Sequence, residues 1–186
     1  LLTPQGIDRR LSHVKPFLAQ GCAFASRFLG DVSWLRPHLC VLQRSLAYRE
    51  QRHADRKHGL ACWHDSMESG ADNTPAVLGY PVGSVAGADL NTYLVREHLA
   101  LAELARQLHQ PVIARRAKQR AAQLTAAMRR WLWDPQDQCY YNLDRRSGQR
   151  IRRTTWASVM PLWGGIATPA QGRAFIRRTL LNPRHL

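Results

Sequence analysis

Three carboxylates, Asp65, Glu68 and Asp72, fall within eight positions of one another, beside Trp63 and His64 and a little before Tyr80. Carboxylates crowded together near aromatic surfaces resist ionisation, through like-charge repulsion and desolvation. A carboxylic acid that keeps its proton near neutral pH is what general-acid chemistry requires. Sugars present both hydroxyls and apolar C–H faces, and a pocket of carboxylates, Asn73 and indole rings suits both. The same residues also describe a polar loop with an Asx turn at Asp72-Asn73, and by themselves they leave the two readings level. The segment from Lys57 to Val85 is long, rich in Gly and Pro, and shows no helical period. A loop of that length inside a compact domain is uncommon and is often functional.

Other chemistry is poorly served. Cys22, Cys40, Cys62 and Cys139 are widely spaced, with no C-x-x-C pair and no histidine pair to complete a zinc pattern, so free and mostly buried thiols are expected. The eight histidines are scattered, without an i, i+4 ligand pair. Neither a metal nor an organic cofactor is expected. The formal charge is +14, nearly all of it arginine, clustered at residues 115–120, 129–130 and 145–153. Such charge fits a polyanion partner, but the clusters lack interleaved stacking aromatics and any nucleic-acid motif. A solvated helix face is the better account, and a basic polyanion-binding module remains the rival of a different class.

The elements that must position the loop are helical. From Asp89 to His109 the residues Leu90, Leu94, Leu101, Leu104 and Leu108 mark one face of a 3.6-residue period, with Asp89 as expected N-cap. Pro111 opens a second helix whose buried stripe is Ile113, Ala117, Ala121, Leu124, Met128 and Trp131 or Leu132. A turn near Gln110 makes the two an antiparallel hairpin. Further helices are expected over residues 17–28, 34–53 and 169–181, the last capped by Thr168. Residues 139–142 and 151–154 flank Ser147-Gly148 and suggest one small β-hairpin. Long helices in hairpins, with elaborated loops on one side, suggest an all-α, partial (α/α)6 toroid, about half of the full ring at this length.

With 186 residues, 45% of them hydrophobic, the chain can bury one core. No apolar run is long enough to cross a membrane. The first ten residues lack the features of a signal peptide, which favours the cytoplasm over secretion. Both ends read as cuts through a longer protein, so residues 1–186 are expected to be one partial catalytic domain. On that reading the stripe Leu94-Leu101-Leu104-Leu108 is expected to lose partners and lie exposed.

A resemblance sharpens the reading of the loop. Trp63-x4-Glu68-Ser69-Gly70-Ala71-Asp72-Asn73-Thr74-Pro75 resembles the E-S-G-x-D-N-[ST]-P signature of glycoside hydrolase family 63, and is more distantly similar to the trehalases of family 37. Asp89-Leu90-Asn91 resembles the family's D-L-N helix start. Trp133-Asp134-Pro135 followed by Tyr140-Tyr141 resembles its W-D hairpin, and Pro161-Leu162-Trp163-Gly164-Gly165 its P-L-x-x-G segment. The resemblance implies an (α/α)6 barrel that hydrolyses α-glycosidic, above all α-glucosidic, bonds with inversion. It implies that Asp72 is the general acid, and that an oligosaccharide or small α-glucoside is the partner. An inverting enzyme needs a second carboxylate roughly 6.5–9.5 Å away to activate water. In the family this is a downstream glutamate, beyond Leu186. Glu68 is then read as binding a sugar hydroxyl or tying the loop through backbone amides. Trp63 stacks on sugar or packs the loop, Asn73 bonds substrate or Asp72, and Trp163 is subsite or core. Two positions depart from the family: Gln138 stands where glycine is usual, which puts a tight turn in doubt, and Ala76 replaces an arginine. A non-catalytic carbohydrate-binding remnant, which keeps the loop but does no chemistry, is the second rival.

Overall fold

The computed structural model describes residues 2–3, 6–7, 15–52, 54–71 and 74–182. Two short strands, β1 (Leu2–Thr3) and β2 (Gly6–Ile7), pair antiparallel ahead of the helices. Helix α1 (Leu18–Leu29) ends on Gly30, whose φ of 69° is the left-handed C-cap that glycine adopts without strain. Its first turn has no local cap. The Glu97 carboxylate instead accepts the amides of Ala19 and Gln20 at 2.8 and 2.9 Å, so a buried acid from another helix supplies the missing acceptors. Residues 34–53 are not one helix. A 3-10 turn (Ser33–His38) holding Pro37 precedes α2 (Leu39–Arg52), and Asp31 accepts the Ser33 amide at 2.8 Å at its start.

After α2 come β3 (Ala54–Asp55) and β4 (Leu60–Ala61), a tight antiparallel pair, and then the irregular stretch that ends in β5 (Val85–Ala86). Helix α3 (Ala88–Gln107) is the central element, packing against α1, α2 and α4 (Pro111–Trp131). Pro111 sits in the first turn of α4, and His109 takes φ 58° in the turn that reverses the chain. Leu90, Leu94, Leu101, Leu104 and Leu108 of α3 are all buried, against Ala117, Ala121, Leu124 and Met128 of α4. Leu132, not Trp131, completes the α4 stripe; Trp131 is half-buried, with the Arg130 guanidinium 4.7 Å from its ring.

The expectation that the α3 stripe lies exposed is overturned. α1, α2 and α4 cover α3 on several sides, and the most exposed apolar side chains include Phe24, Phe28 and Leu29 of α1. Asp89 is also not the N-cap of α3. Gly87 holds that place, the Ala88 amide donates to Asn142 Oδ1 at 2.9 Å, and Asp89 lies inside the first turn.

Strand pairing is richer than one hairpin. β6 (Trp133–Asp134) pairs with β7 (Cys139–Tyr140), and β8 (Asn142–Asp144) with β9 (Gln149–Ile151) around Ser147-Gly148. β5 joins the outer edge of β8, with Ala86 opposite Leu143. The tight turn at Gln138 is kept: the residue takes φ 53°, while Asp134 Oδ1 accepts the amides of Gln136 and Asp137 at 2.9 and 3.1 Å. A 3-10 turn (Trp156–Ser158) and the single turn α5 (Met160–Trp163) follow. Then comes α6 (Pro169–Phe175), running into a π turn (Ile176–Leu180). Thr168 caps α6 in a reciprocal box with Gln171.

Candidate active site

The carboxylate-bearing loop is fastened at three levels. At its base, Trp63 forms an antiparallel bridge with Val85, its amide 2.9 Å from the Val85 carbonyl, and Gly83 donates to the His64 carbonyl at 2.8 Å. Below, Asn91 of α3 has both ends of its amide engaged, accepting from the Ala61 amide and donating to the Ala61 and Gly87 carbonyls. Above, the 3-10 turn Met67–Ser69 is closed by Asp65, which accepts the Glu68 amide at 3.0 Å. Ser69 Oγ accepts the Ala71 amide at 3.1 Å. Gly70 ends this turn at φ 70°, a conformation that favours glycine, with the Lys15 side chain close by.

Trp63 is 1% exposed, and its indole N–H donates to Asp89 Oδ1 at 2.9 Å. The Arg49 guanidinium of α2 lies over its ring, 5.2 Å from the centroid. Gly87 passes so close that a methyl there would stand 2.5 Å from Trp63 Nε1 and 2.4 Å from Asp89 Oδ1. Burial pushes the Asp89 carboxyl above its ordinary range, against the opposing pull of the Trp63 indole, the Leu90 amide and the Lys15 charge.

Glu68 is likewise 1% exposed. Its Oε2 accepts the His64 amide at 2.6 Å and lies 3.0 Å from Arg49 Nη2, and its Oε1 is 4.0 Å from Arg52 Nη1. Burial lowers the pKa of Arg49, partly offset by Glu68. His64 and Asp65 are half-buried at the rim of a cavity of about 160 Å³ that Trp63, Tyr80, Val82 and Val85 also line.

Trp163 packs against α3 one turn further along, 50% exposed. Its ring meets the edge of Tyr93 at 6.4 Å, and the Arg96 guanidinium lies 4.9 Å from its centroid. Tyr93 is one turn beyond Asp89, and Phe17 and Trp156 pack round it, each partly exposed. Burial pushes the Tyr93 hydroxyl up, with the Asp89 charge adding to it. The structure thus brings Trp63 and Glu68 together around Arg49, and joins Trp163 to them through α3. Asp72 and Asn73 lie outside the described residues.

Sequence reasoning misses Arg49 and Asn142, names Asn91 only within the D-L-N resemblance, and takes Asp89 for a cap. Asn91 carries a signal, a polar residue inside an apolar helix start; Arg49 carries none, since α2 holds other arginines at similar spacing. Two of the scattered histidines are buried against carboxylates, His58 with Nδ1 2.6 Å from Asp55 Oδ2 and His98 with Nε2 3.4 Å from Glu50 Oε2. Among the described residues no cluster of three His, Cys, Asp or Glu side chains could hold a metal ion, and no helix is long and apolar enough to cross a membrane.

Helical hairpins pack around a central helix, with a clamped carboxylate loop and half-exposed aromatics beside its N-terminal turns. The chain matches the mannosylglycerate hydrolase MGH1-like glycoside hydrolase domain over residues 3–186, and it belongs to that family. Its fold is similar to that of the family 63 mannosylglycerate hydrolase from Thermus thermophilus in complex with glucose. The TM-score is 0.69 at 19% identity, covering 95% of this chain and 55% of that one. It is also similar to the neutral trehalase of Saccharomyces cerevisiae, with TM-score 0.55 at 20% identity, over 61% of this chain and 22% of that one. The all-α architecture is accordingly a partial (α/α)6 toroid. The chain spans about half the length of the mannosylglycerate hydrolase. No curated protein sequence matches it.

Proposed function

We propose that the chain is the acid-bearing part of an inverting glycoside hydrolase acting on α-glycosidic bonds, with Asp72 as general acid and the water-activating carboxylate supplied from outside residues 1–186. The observation that carries this reading is the clamp on residues 63–71. Buried groups fasten the segment at Trp63, Glu68 and Ser69, so the chain enters Asp72 from a fixed base. A general acid must meet the leaving oxygen within hydrogen-bond reach, and fixing the backbone that carries it lowers the cost of that geometry. Glu68 and Trp63 belong to the clamp, since neither has surface to offer a sugar. Asn73 is the polar neighbour available to substrate or to Asp72. Trp163, with Trp156 and Phe17 round Tyr93, offers partly exposed ring surface to the apolar face of a sugar.

The reaction follows from two carboxyl groups. The Asp72 carboxylic acid gives its proton to the glycosidic oxygen as the bond to the anomeric carbon breaks. Water, losing a proton to the second carboxylate, attacks that carbon from the opposite face, and the configuration inverts. Purified residues 1–186, given α-glucosides, trehalose and mannosylglycerate, should bind a glycoside but show no enzyme-like turnover. Turnover in the purified monomer that disappears in Asp72→Asn would place a second working carboxylate within the chain and overturn the split site. A chain that binds none of the three would count against the glycosidase reading itself.

A further inference from the structure

Arg49 lies outside the motif, on a different helix, and is nevertheless the group on which the loop converges. Its guanidinium touches two motif residues at once, Glu68 through an ion pair of 3.0 Å and Trp63 by lying over the ring. Trp63 is pinned on its other side by Asp89, and Glu68 passes the constraint to the His64 amide. One side chain of α2 therefore ties both ends of residues 63–68 to the helical frame. Its residue is only 6% exposed, yet none of the three guanidinium nitrogens makes a well-directed hydrogen bond among the described residues, and its contact with Glu68 is one of charge. An ion pair this buried adds little stability over a well-packed apolar pair, and its attested benefit is to fix one arrangement out of several.

We infer that Arg49 is a positioning residue that sets the Asp72 loop through Glu68 and Trp63. This rests on the reading of Asp72 as general acid. Removing the guanidinium alone leaves the buried Glu68 charge with only the His64 amide and Arg52 at 4.0 Å, which destabilises the whole chain and hides any positioning effect. Neutralising both partners separates the two roles.

The experiment compares wild type, Arg49→Met and Arg49→Met/Glu68→Gln by thermal melting, by backbone amide exchange and by binding of mannosylglycerate. Arg49→Met should melt roughly 10 °C lower. The double variant should recover most of that loss, because Glu68 then carries no buried charge. In it the amides of His64, Glu68 and Ala71 should still exchange about tenfold or more faster than in wild type, while those of the α3–α4 hairpin do not change. Loop exchange that returns to wild-type rates along with the melting point would make Arg49 merely structural. A double variant as unstable as Arg49→Met would also overturn the inference, because Arg49 would then act by filling space. Loss of mannosylglycerate binding confined to the variants supports positioning. Wild type that fails to bind it counts against the glycosidase reading, while the exchange data still decide the role of Arg49.

Discussion

The α3–α4 hairpin and the loop of residues 60–86 pack against each other, yet opposite chemistries hold them. The hairpin is a seam of Leu, Ala and Met between two helices, repeated every turn and tolerant of exchange among residues of similar volume. The loop has almost no repeat. It hangs on single polar groups: Asn91 under Ala61, Asp89 on the Trp63 indole, Glu68 on the His64 amide, Asn142 on the Ala76 carbonyl. Apolar seams spread their stabilisation over many contacts, whereas a buried polar staple concentrates it and fixes direction as well as distance. On the proposed reading of Asp72, a loop that presents one carboxylate in one place is served by the second kind.

That contrast can be broken or sharpened by substitution. The largest effect on stability is expected in the seam. Leu104→Ala should cost about 2–5 kcal/mol in denaturant unfolding, because Leu104 is fully buried in the seam and the truncation leaves a cavity. A cost under about 1 kcal/mol would show the hairpin to be loosely packed. Gly87→Ala should come next, at about 1–3 kcal/mol, since the added methyl must push Trp63 from Asp89. It should also raise the exposure of the Trp63 indole, read as a red shift of its emission, whereas Leu104→Ala should leave that emission in place.

Asp89→Asn tests the staple's charge. The folded-state pKa of Asp89 is raised, so its contribution is present in full at acid pH and is lost as pH rises through the folded pKa. The asparagine still accepts from the indole but carries no buried charge. The variant should therefore gain on wild type in unfolding free energy as pH is raised from about 4 to about 8, across the carboxylate range and above it. A difference that stays constant over that span would contradict the assignment. The smallest effect is expected at Gln138→Gly. Relieving a non-glycine residue at φ 53° should stabilise the chain by about 0.5–1 kcal/mol in the same unfolding assay.

The same contrast explains what can be read in the sequence. The hairpin is legible because a seam writes itself as a period: the leucines of α3 and the small residues of α4 are buried as their spacing requires, and Pro111 and Thr168 open their helices at the expected places. Asp89 misleads because a cap and a buried first-turn carboxylate look alike until Trp63 is known to sit above it. The α3 stripe misleads because the period shows which face is apolar but not how many partners cover it. The turn at Gln138 lacks its usual glycine, yet Asp134 holds it by accepting two amides. The motif points to its own loop, while Arg49 stays hidden among the arginines of a basic chain.

The most direct test of the central claim separates proton donation from every other role of Asp72. In a chain extended to supply the second carboxylate, Asp72→Asn should slow hydrolysis of an alkyl α-glycoside by about 10²–10⁴-fold, the span general-acid catalysis contributes. The same variant should hydrolyse an α-glycosyl fluoride at close to the wild-type rate, because fluoride departs without needing that proton. Equal losses on both substrates, or no loss on either, would contradict the assignment of Asp72 as the general acid.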